Sequence, residues 1–496
     1  MNKNRYILAI DQGTSSTKSL IFDEKGQAVA KGSEPLHTNY IDNGFVEQDP
    51  QEIYTNVLAS VKKCLLQFRE KGYDETEIEA IGISNQRETF VVWDKKGKPL
   101  YNAVVWQCKR SIGVCEQLRQ KGLSGIIREK TGLVIDPYFS ATKLTWLFQN
   151  NSSVGEAVKN GDAFFGTIDT WLLYKLTNGE KYATDYTNAS RTLFFNLHTL
   201  GWDNELIEAY GLKGIRLPEL KSSSAFYGET SLNGLLPRSI PVTAMIGDSH
   251  AAAFGEGCFE PGTAKATLGT GCSLLMNIGD KPVQSNHGMV TTICWSTEEK
   301  IDYALEGVIV SCGATIEWLK NELALFKDSR ETETMANAVS DNGGVYLVPA
   351  FSGLGSPHWQ MERRATLSGM SFGTNKNHIV RAALESIPYQ VMDVVTAMEK
   401  DAGLSLKELM VNGGMTANQF VLQFLADLLN KSVVCTGMPD VSAMGAAYMA
   451  GLKAGIFAGI GALKQLSGEK KVYRAGRSNG LAGKGYKRWT EIIGRD

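Results

Sequence analysis

Tyr6-Ile-Leu-Ala-Ile-Asp-Gln-Gly-Thr-Ser-Ser-Thr-Lys-Ser-Leu-Ile-Phe-Asp23 is the stretch on which the fold turns. Apolar residues alternate on both sides of a short polar turn, the period-two pattern of two β-strands joined as a hairpin. Gly13 lets the backbone approach an anion closely, and Thr14, Ser15 and Ser16 offer hydroxyl and amide hydrogens to it. Asp11 stands at the end of the first strand, where a carboxylate can hold Mg²⁺ through water beside nucleotide phosphates. Lys18 adds a positive charge nearby. The turn reads as a phosphate grip, although an ordinary hairpin with a polar turn carries the same pattern.

A second hairpin echoes the first. Ala264-Lys-Ala-Thr-Leu268 reads as a strand, Gly269-Thr-Gly-Cys272 as a tight turn and Ser273-Leu-Leu-Met-Asn277 as the returning strand. Two such grips imply two related halves, although no residue-level repeat of fixed period is present. A chain of 496 residues is also longer than one hydrophobic core usually supports, so two domains, 1–253 and 254–496, are expected with a ligand cleft between them. Strand Ile78–Ser84 leads into Asn85-Gln-Arg-Glu-Thr89 and a further β-rich run, Phe90–Trp93. The intervening stretch 50–70 has helical periodicity, so the class is α/β. Helices are expected near 378–400, 418–430 and 442–455, the last rich in small residues that allow close packing. From Ser467 onward the Lys/Arg/Gly-rich sequence reads as a solvated tail with one terminal helical segment.

With 51 basic and 53 acidic residues the formal charge is -2, which gives no electrostatic reason to expect nucleic acid or an anionic membrane as partner. The first residues run directly into a strand with no signal-peptide core, and no apolar run reaches spanning length, so a cytoplasmic location is expected. The eight cysteines are scattered without a C-x-x-C pair, which fits reduced thiols and no zinc site.

No glycine-rich loop is followed by Gly-Lys-Ser/Thr, and no strand carries G-x-G-x-x-G, so another phosphate architecture is required. The opening hairpin, the Gly269 turn and Val411-Asn-Gly-Gly-Met-Thr-Ala-Asn418 can supply it, the last by running a strand into paired glycines at a helix start. Each glycine cluster taken singly is also compatible with a plain tight turn. Pro241-Val-Thr-Ala-Met-Ile-Gly-Asp-Ser-His250 sets Asp248 between an apolar strand and a small-residue helix. There a carboxylate serves either as a base that deprotonates an attacking hydroxyl or as a helix N-cap. Arg87 and Glu88 pair a charged donor with a charged acceptor, suited to bracketing the hydroxyls of a polyol or to forming a surface ion pair. Trp106 and Tyr138 offer an apolar wall, or core.

Together these motifs resemble the FGGY family of carbohydrate kinases, within the actin, Hsp70 and hexokinase superfamily, and most closely its glycerol-phosphorylating members. Tyr138-Phe-Ser-Ala-Thr-Lys-Leu-Thr-Trp-Leu-Phe-Gln-Asn150 satisfies the first family signature. Ala365-Thr-Leu-Ser-Gly-Met370 with His378-Ile-Val-Arg-Ala-Ala-Leu-Glu385 satisfies the second. Asn85-Gln-Arg-Glu-Thr89, Ala103-Val-Val-Trp-Gln-Cys108, Thr131-Gly-Leu-Val-Ile-Asp-Pro-Tyr138, Thr184-Asp-Tyr-Thr-Asn-Ala-Ser-Arg191 and Gly353-Leu-Gly-Ser-Pro357 extend the likeness over essentially the whole chain. The resemblance implies two actin-like, ribonuclease H-like ATPase domains with an interdomain cleft. It implies ATP and Mg²⁺ as cofactors, a small polyol as substrate and a homo-oligomer, dimer or tetramer. By the same resemblance Asp248 is the general base, Arg87, Glu88 and Tyr138 hold the triol, and Trp106 packs on its carbons. Thr14, Ser15, Ser16 and Lys18 meet the β/γ-phosphates, Thr270, Gly313 and Glu317 are further ATP contacts, and Gly414, Met415 and Asn418 line the adenosine pocket. Asp11 and Asp248 flank the metal.

Departures from the family pattern fall at informative places. Ser249 stands where Gln is usual and Ser273 where Phe is usual, both in the substrate pocket. Both remove bulk, so a larger polyol or ketose of four to five carbons is the alternative acceptor. Asn412 replaces a usual Asp and Glu317 a usual Gln, which bears on nucleotide preference. The loop 233–238, where bacterial members bind fructose 1,6-bisphosphate, does not follow the pattern.

Overall fold

The computed structural model describes residues 4–41, 44–466, 470–476 and 479–494. Two large mixed sheets organise the chain, and each is centred on one of the hairpins read from the sequence. The first runs in the order Ser224–Thr230, Ile240–Gly247, Ile78–Asn85, Tyr6–Gln12, Ser16–Asp23, Ala28–Pro35. Tyr6–Gln12 pairs antiparallel with its hairpin partner and parallel with Ile78–Asn85, which is parallel in turn to Ile240–Gly247. The second sheet repeats the plan. Thr263–Leu268 pairs antiparallel with Cys272–Gly279 and parallel with Glu408–Asn412, and Ser432–Cys435 extends the parallel side.

Register decides where chemistry can gather. Gln12 and Gly247 both lie opposite Asn85, so three parallel strands end at one level, and the segments that follow them open at a common edge. In the second sheet Leu268 faces Cys272 and Thr267 faces Asn412, which brings the Gly269 turn and the paired glycines together in the same way. Gly413 takes a positive φ of 95° with Leu268 backbone against it, a place no side chain fits.

Helix Pro50–Glu70 begins after Asp49, whose carboxylate accepts from the Gln51 amide, with proline in its first turn. Helix Val441–Lys453, from the second half of the chain, crosses to the first sheet. Ala446 and Ala450 pack over Gly82, Gly445 lies against Ala251, and Gly255 against Val441. The small residues of this helix therefore serve close packing between the halves.

The C-terminal stretch corrects the sequence reading. Residues 467–469, 477–478 and 495–496 lie outside the described residues, but Lys471–Tyr473 pairs antiparallel with Ser432–Cys435 and closes the second sheet. Helix Asn479–Ile493 buries Trp489 and Ile493, and the Trp489 indole and Tyr486 hydroxyl both donate to Asp393. Flanking Lys, Arg and Gly masked an amphipathic helix with an aromatic face. Among the described residues no helix is long and apolar enough to cross a membrane, and all eight cysteines are free.

Two carboxyl groups inside this fold give its stability a pH dependence. Burial, reinforced by the neighbouring Asp185, pushes Asp169 up to about 7, while the Thr167 and Thr184 hydroxyls donate to it. Burial likewise pushes Glu256 up to about 7. Both groups ionise in the unfolded chain near their ordinary values of 3.8 and 4.5, so the folded state holds extra protons between those values and about 7. Their contribution is fully present at the acid end of that window and is lost as pH rises through about 7. The thermal midpoint should fall from pH 6 to pH 8, and Asp169→Asn should flatten that fall, as calorimetry across the range would reveal.

Candidate active site

Arg87 and Glu88 follow strand Ile78–Asn85 in a tight bend. Glu88 sits in the left-handed region at φ 59°, a conformation that costs a bulky residue about 1–3 kcal/mol. It is over-determined by two contacts: Arg191 Nε donates to Glu88 Oε1 at 2.6 Å, and Ser140 Oγ donates to the Glu88 carbonyl at 2.8 Å. Asp248 is the first residue of helix Asp248–Gly255, and Gly247 occupies the N-cap position, so Asp248 is not the cap itself. Its Oδ1 accepts from the Ser249 amide at 2.6 Å and lies 3.3 Å from Arg87 Nε.

The floor of the cleft is a buried ion cluster that the sequence reading did not foresee. Glu306, in strand Ile301–Ile309 of the second sheet, accepts from Arg87 Nη2 at 2.7 Å and Nη1 at 3.1 Å, and pairs with Arg191 Nη1 at 2.6 Å. Arg87, Glu88, Arg191 and Glu306 are exposed by 5%, 1%, 1% and 1%, so two guanidiniums and two carboxylates balance away from water. Burial works to raise Glu306, but Arg191 and Arg87 overcome it and hold its carboxyl well below the ordinary range. At Glu88 burial wins, offset only in part by the same two arginines, and its carboxyl is raised.

On one wall, the Trp106 and Tyr138 rings meet edge to face at 5.5 Å. Trp106 is fixed by its indole donating to Thr14 Oγ1 at 3.0 Å and its amide to Thr89 Oγ1 at 3.1 Å. Buried Lys143 donates to the carbonyls of Pro137 and Tyr138 and so sets the Tyr138 segment; burial brings that ammonium down to about 8. Beside Asp248, Ser249 and Ser273 face one another with Oγ atoms 3.4 Å apart, and buried Lys265 donates to Ser249 at 3.2 Å. Burial, with Arg87 adding to it, lowers Lys265 and takes His250 far below its usual value, so the imidazole is neutral.

On the opposite wall the Gly13 amide donates to the Ser16 carbonyl at 3.0 Å, closing the turn that presents Thr14, Ser15 and Ser16. Thr270 stands on the exposed Gly269 turn, docked on helix Gly313–Asn321 by bonds from the Cys312 and Ala314 amides to the Thr270 carbonyl and from Gly313 to Gly269. A cavity of about 250 Å³ lies behind it, lined by Ile316, Arg330, Thr332, Gly414, Met415 and Asn418 among others. Asn418 caps the following helix and donates to Thr332 at 3.1 Å. Glu317 does not line this cavity; it turns to Lys320 and Ser329. Asn412 donates to buried Glu256 at 2.8 Å. Lys18 is paired with Asp440 at 2.7 Å.

Asp11 fits a metal-binding role by its chemistry. Burial pushes its carboxyl up to about 6, and the neighbouring Asp248 carboxylate pushes the same way. A carboxylate whose charge is disfavoured by burial and by a second carboxylate nearby suits a divalent cation, and Mg²⁺ needs only one or two carboxylates beside phosphates. Among the described residues no cluster of three or more His, Cys, Asp or Glu stands ready to hold a metal alone.

Glu306, Arg191 and Lys265 were missed because their partners are distant in sequence, and Lys143 because its bonds go to main-chain carbonyls, which no residue type announces. The available signals were two carboxylates, Asp302 and Glu306, in an otherwise apolar strand, a lone lysine between alanines, and charged residues inside two quoted motifs. Replacing Glu306 with Ala leaves two buried guanidiniums undercompensated and should cost about 3–5 kcal/mol of folding stability, measurable by denaturant unfolding.

Residues 6–255 match the family described as FGGY family of carbohydrate kinases, N-terminal domain, and residues 264–454 its C-terminal domain. The chain is 48% identical over 455 residues to a glycerol kinase of Carboxydothermus hydrogenoformans, spanning 92% of this chain and 90% of that one. It is 45% identical to a glycerol kinase of Pseudomonas entomophila over 496 residues, 100% of this chain and 97% of that one. The crystal structure of Plasmodium falciparum glycerol kinase with ADP superposes at a TM-score of 0.93 and 35% identity, covering 99% and 98% of the two chains. A ligand-bound xylulose kinase from Lactobacillus acidophilus shares the fold at a TM-score of 0.88 and 21% identity, covering 98% and 97%. By its sequence and its two-sheet architecture, the chain belongs to the FGGY family of carbohydrate kinases.

Proposed function

We propose that this chain transfers the γ-phosphoryl group of ATP to a terminal hydroxyl of glycerol, with Asp248 as general base. The observation that carries the reading is the position of the Asp248 carboxylate, 3.3 Å from Arg87 Nε, at the strand-end level where both hairpin turns open. The names of relatives that match nearly the whole length of the chain support glycerol as acceptor.

Phosphoryl transfer asks the protein mainly for positioning and charge stabilisation. Arg87 donates to one acceptor hydroxyl and Glu88 accepts from another, while Trp106 and Tyr138 flank the carbon chain and Ser249 and Ser273 close its far side. The terminal O–H gives its proton to Asp248 as the new O–P bond forms and the bond between the γ-phosphorus and the β,γ-bridging oxygen breaks, leaving ADP. Thr14, Ser15, Ser16 and Lys18 serve the β/γ-phosphates from one lobe, Thr270 and Gly313 from the other. Gly414, Met415 and Asn418 surround adenosine. Asp11 and Asp248 would hold Mg²⁺, which when bound neutralises phosphate charge. Lobes divided near residues 253 and 254 exclude water from the transfer. The exposed apolar side chains of Trp359, Met361, Met370 and Phe372 support association into a dimer or tetramer.

Asp248→Asn should lower kcat for glycerol by about 10²–10⁴-fold, the usual worth of a positioned base, while nucleotide Kd changes by less than about tenfold. Steady-state assays paired with calorimetric nucleotide titration check both; retained turnover would remove Asp248 from this role.

A further inference from the structure

We infer that the acceptor pocket is fitted to linear polyols one or two carbons longer than glycerol, with the extra hydroxyl seated between Ser249 and Ser273. This deepens the phosphoryl-transfer reading above and rests on it. Ser249 follows Asp248 at the helix start, and Ser273 lies in the returning strand of the second hairpin, so the two hydroxyls face each other across the acceptor end of the cleft. Both are partly exposed, whereas Lys265 and Glu306 behind them are buried.

These four groups form one directed chain. Lys265 Nζ donates to Ser249 Oγ at 3.2 Å, the only hydrogen bond that ammonium makes among the described residues. Ser249 Oγ stands 3.4 Å from Ser273 Oγ, and Ser273 donates to Glu306 Oε1 at 3.3 Å. With Lys265 a pure donor and Glu306 a pure acceptor at the two ends, the protons must run from lysine to Ser249, to Ser273, to the carboxylate. Every link is stretched beyond the usual length, about 2.7–2.8 Å for hydroxyl pairs and 2.9–3.0 Å for N–H donors.

A hydroxyl entering at the serine pair can accept from Ser249 and donate to Ser273 or Glu306, so the chain stays fully paired and its loose link tightens. A carbonyl oxygen can only accept: it takes the Ser249 proton and offers none to Ser273, whose oxygen is left without a donor, so the geometry favours a polyol over a ketose. The transferred group and proton follow the same course as for glycerol: the terminal O–H of the longer acceptor loses its proton to Asp248, and ADP leaves.

The test is kcat/KM for glycerol, erythritol, threitol and erythrulose with Mg·ATP, by coupled ADP release, in the full-length wild type and in Ser273→Phe and Ser249→Gln. At least one tetritol should come within about tenfold of glycerol, with erythrulose at least about tenfold below that tetritol. Each variant should lower the ratio of tetritol to glycerol by about tenfold or more, since each refills the space and removes one end of the seat. Should Ser273→Phe fail to fold, as judged by its thermal transition, Ser249→Gln decides alone. Tetritols more than about a hundredfold below glycerol, or a ratio unmoved in every folded variant, overturn the inference and leave the glycerol reading standing. No ADP release with any of these acceptors removes the underlying reading instead.

Discussion

Glu306 ties the two halves of this molecule together beneath Asp248. It comes from the second sheet, and the guanidiniums that donate to it come from the first half of the chain, Arg87 just after strand Ile78–Asn85 and Arg191 just after helix Tyr186–Ala189. Removing three such groups from water is costly, and the cost is recovered only when each charge meets well-placed partners. That condition dictates much of the surroundings. Arg191 must also meet Glu88, which forces the left-handed bend at Glu88, and Arg87 must keep its Nε free to face Asp248. The acceptor end of the cleft is rigid because moving any one of these side chains strands a charge.

The phosphate end is built by different physics. Both hairpins place short polar turns at the ends of central strands, and the parallel neighbours of those strands stop at the same level. Backbone amides and hydroxyls gather there without buried charge to orient them. Glycine provides the close approach, as where Gly413 meets Leu268 backbone. An anionic ligand is therefore met by a surface that is mostly main chain, whereas the acceptor meets side chains. The division suits a reaction in which the donor is constant and the acceptor differs among family members.

What could be read in the sequence follows from the range of each interaction. The hairpins, the helix expected over 50–70 and the small-residue helix expected near 442–455 depend on contacts within a few residues or on strong periodicity, and the structure has them at Pro50–Glu70 and Val441–Lys453. Arg87, Glu88 and Asp248 stood out because charged residues at strand ends are conspicuous. Glu306 and Lys265 lie inside apolar strands, and nothing local says that their partners are Arg87 and Ser249, since sequence carries no pairing. Sequence is equally silent on the ion pairs of Glu317 and Lys18, whose side chains meet the opposite charges of Lys320 and Asp440. The terminal helix was expected, but its packing was hidden by composition, since Trp489, Tyr486 and Ile493 are scattered among lysines and glycines.

Helix Val441–Lys453 couples these regions. Just before it Asp440, itself at a positive φ of 59°, binds Lys18 of the strand that leaves the first hairpin turn and Lys31 of the neighbouring strand Ala28–Pro35. Ser442 donates to the Asp248 carbonyl at 3.1 Å, and Gly445 lies against Ala251 one turn along the helix that begins at Asp248. The lysines are partly exposed, and ion pairs of that kind contribute only about 0–1 kcal/mol each, so charge is not what holds the junction. Close packing is: backbone meets backbone at Gly445 and Gly255, where an added methyl group has no room. A shift of this helix must therefore carry helix Asp248–Gly255 with it. The orientation of Asp248 is set as much by second-lobe residues behind it as by Arg87 in front.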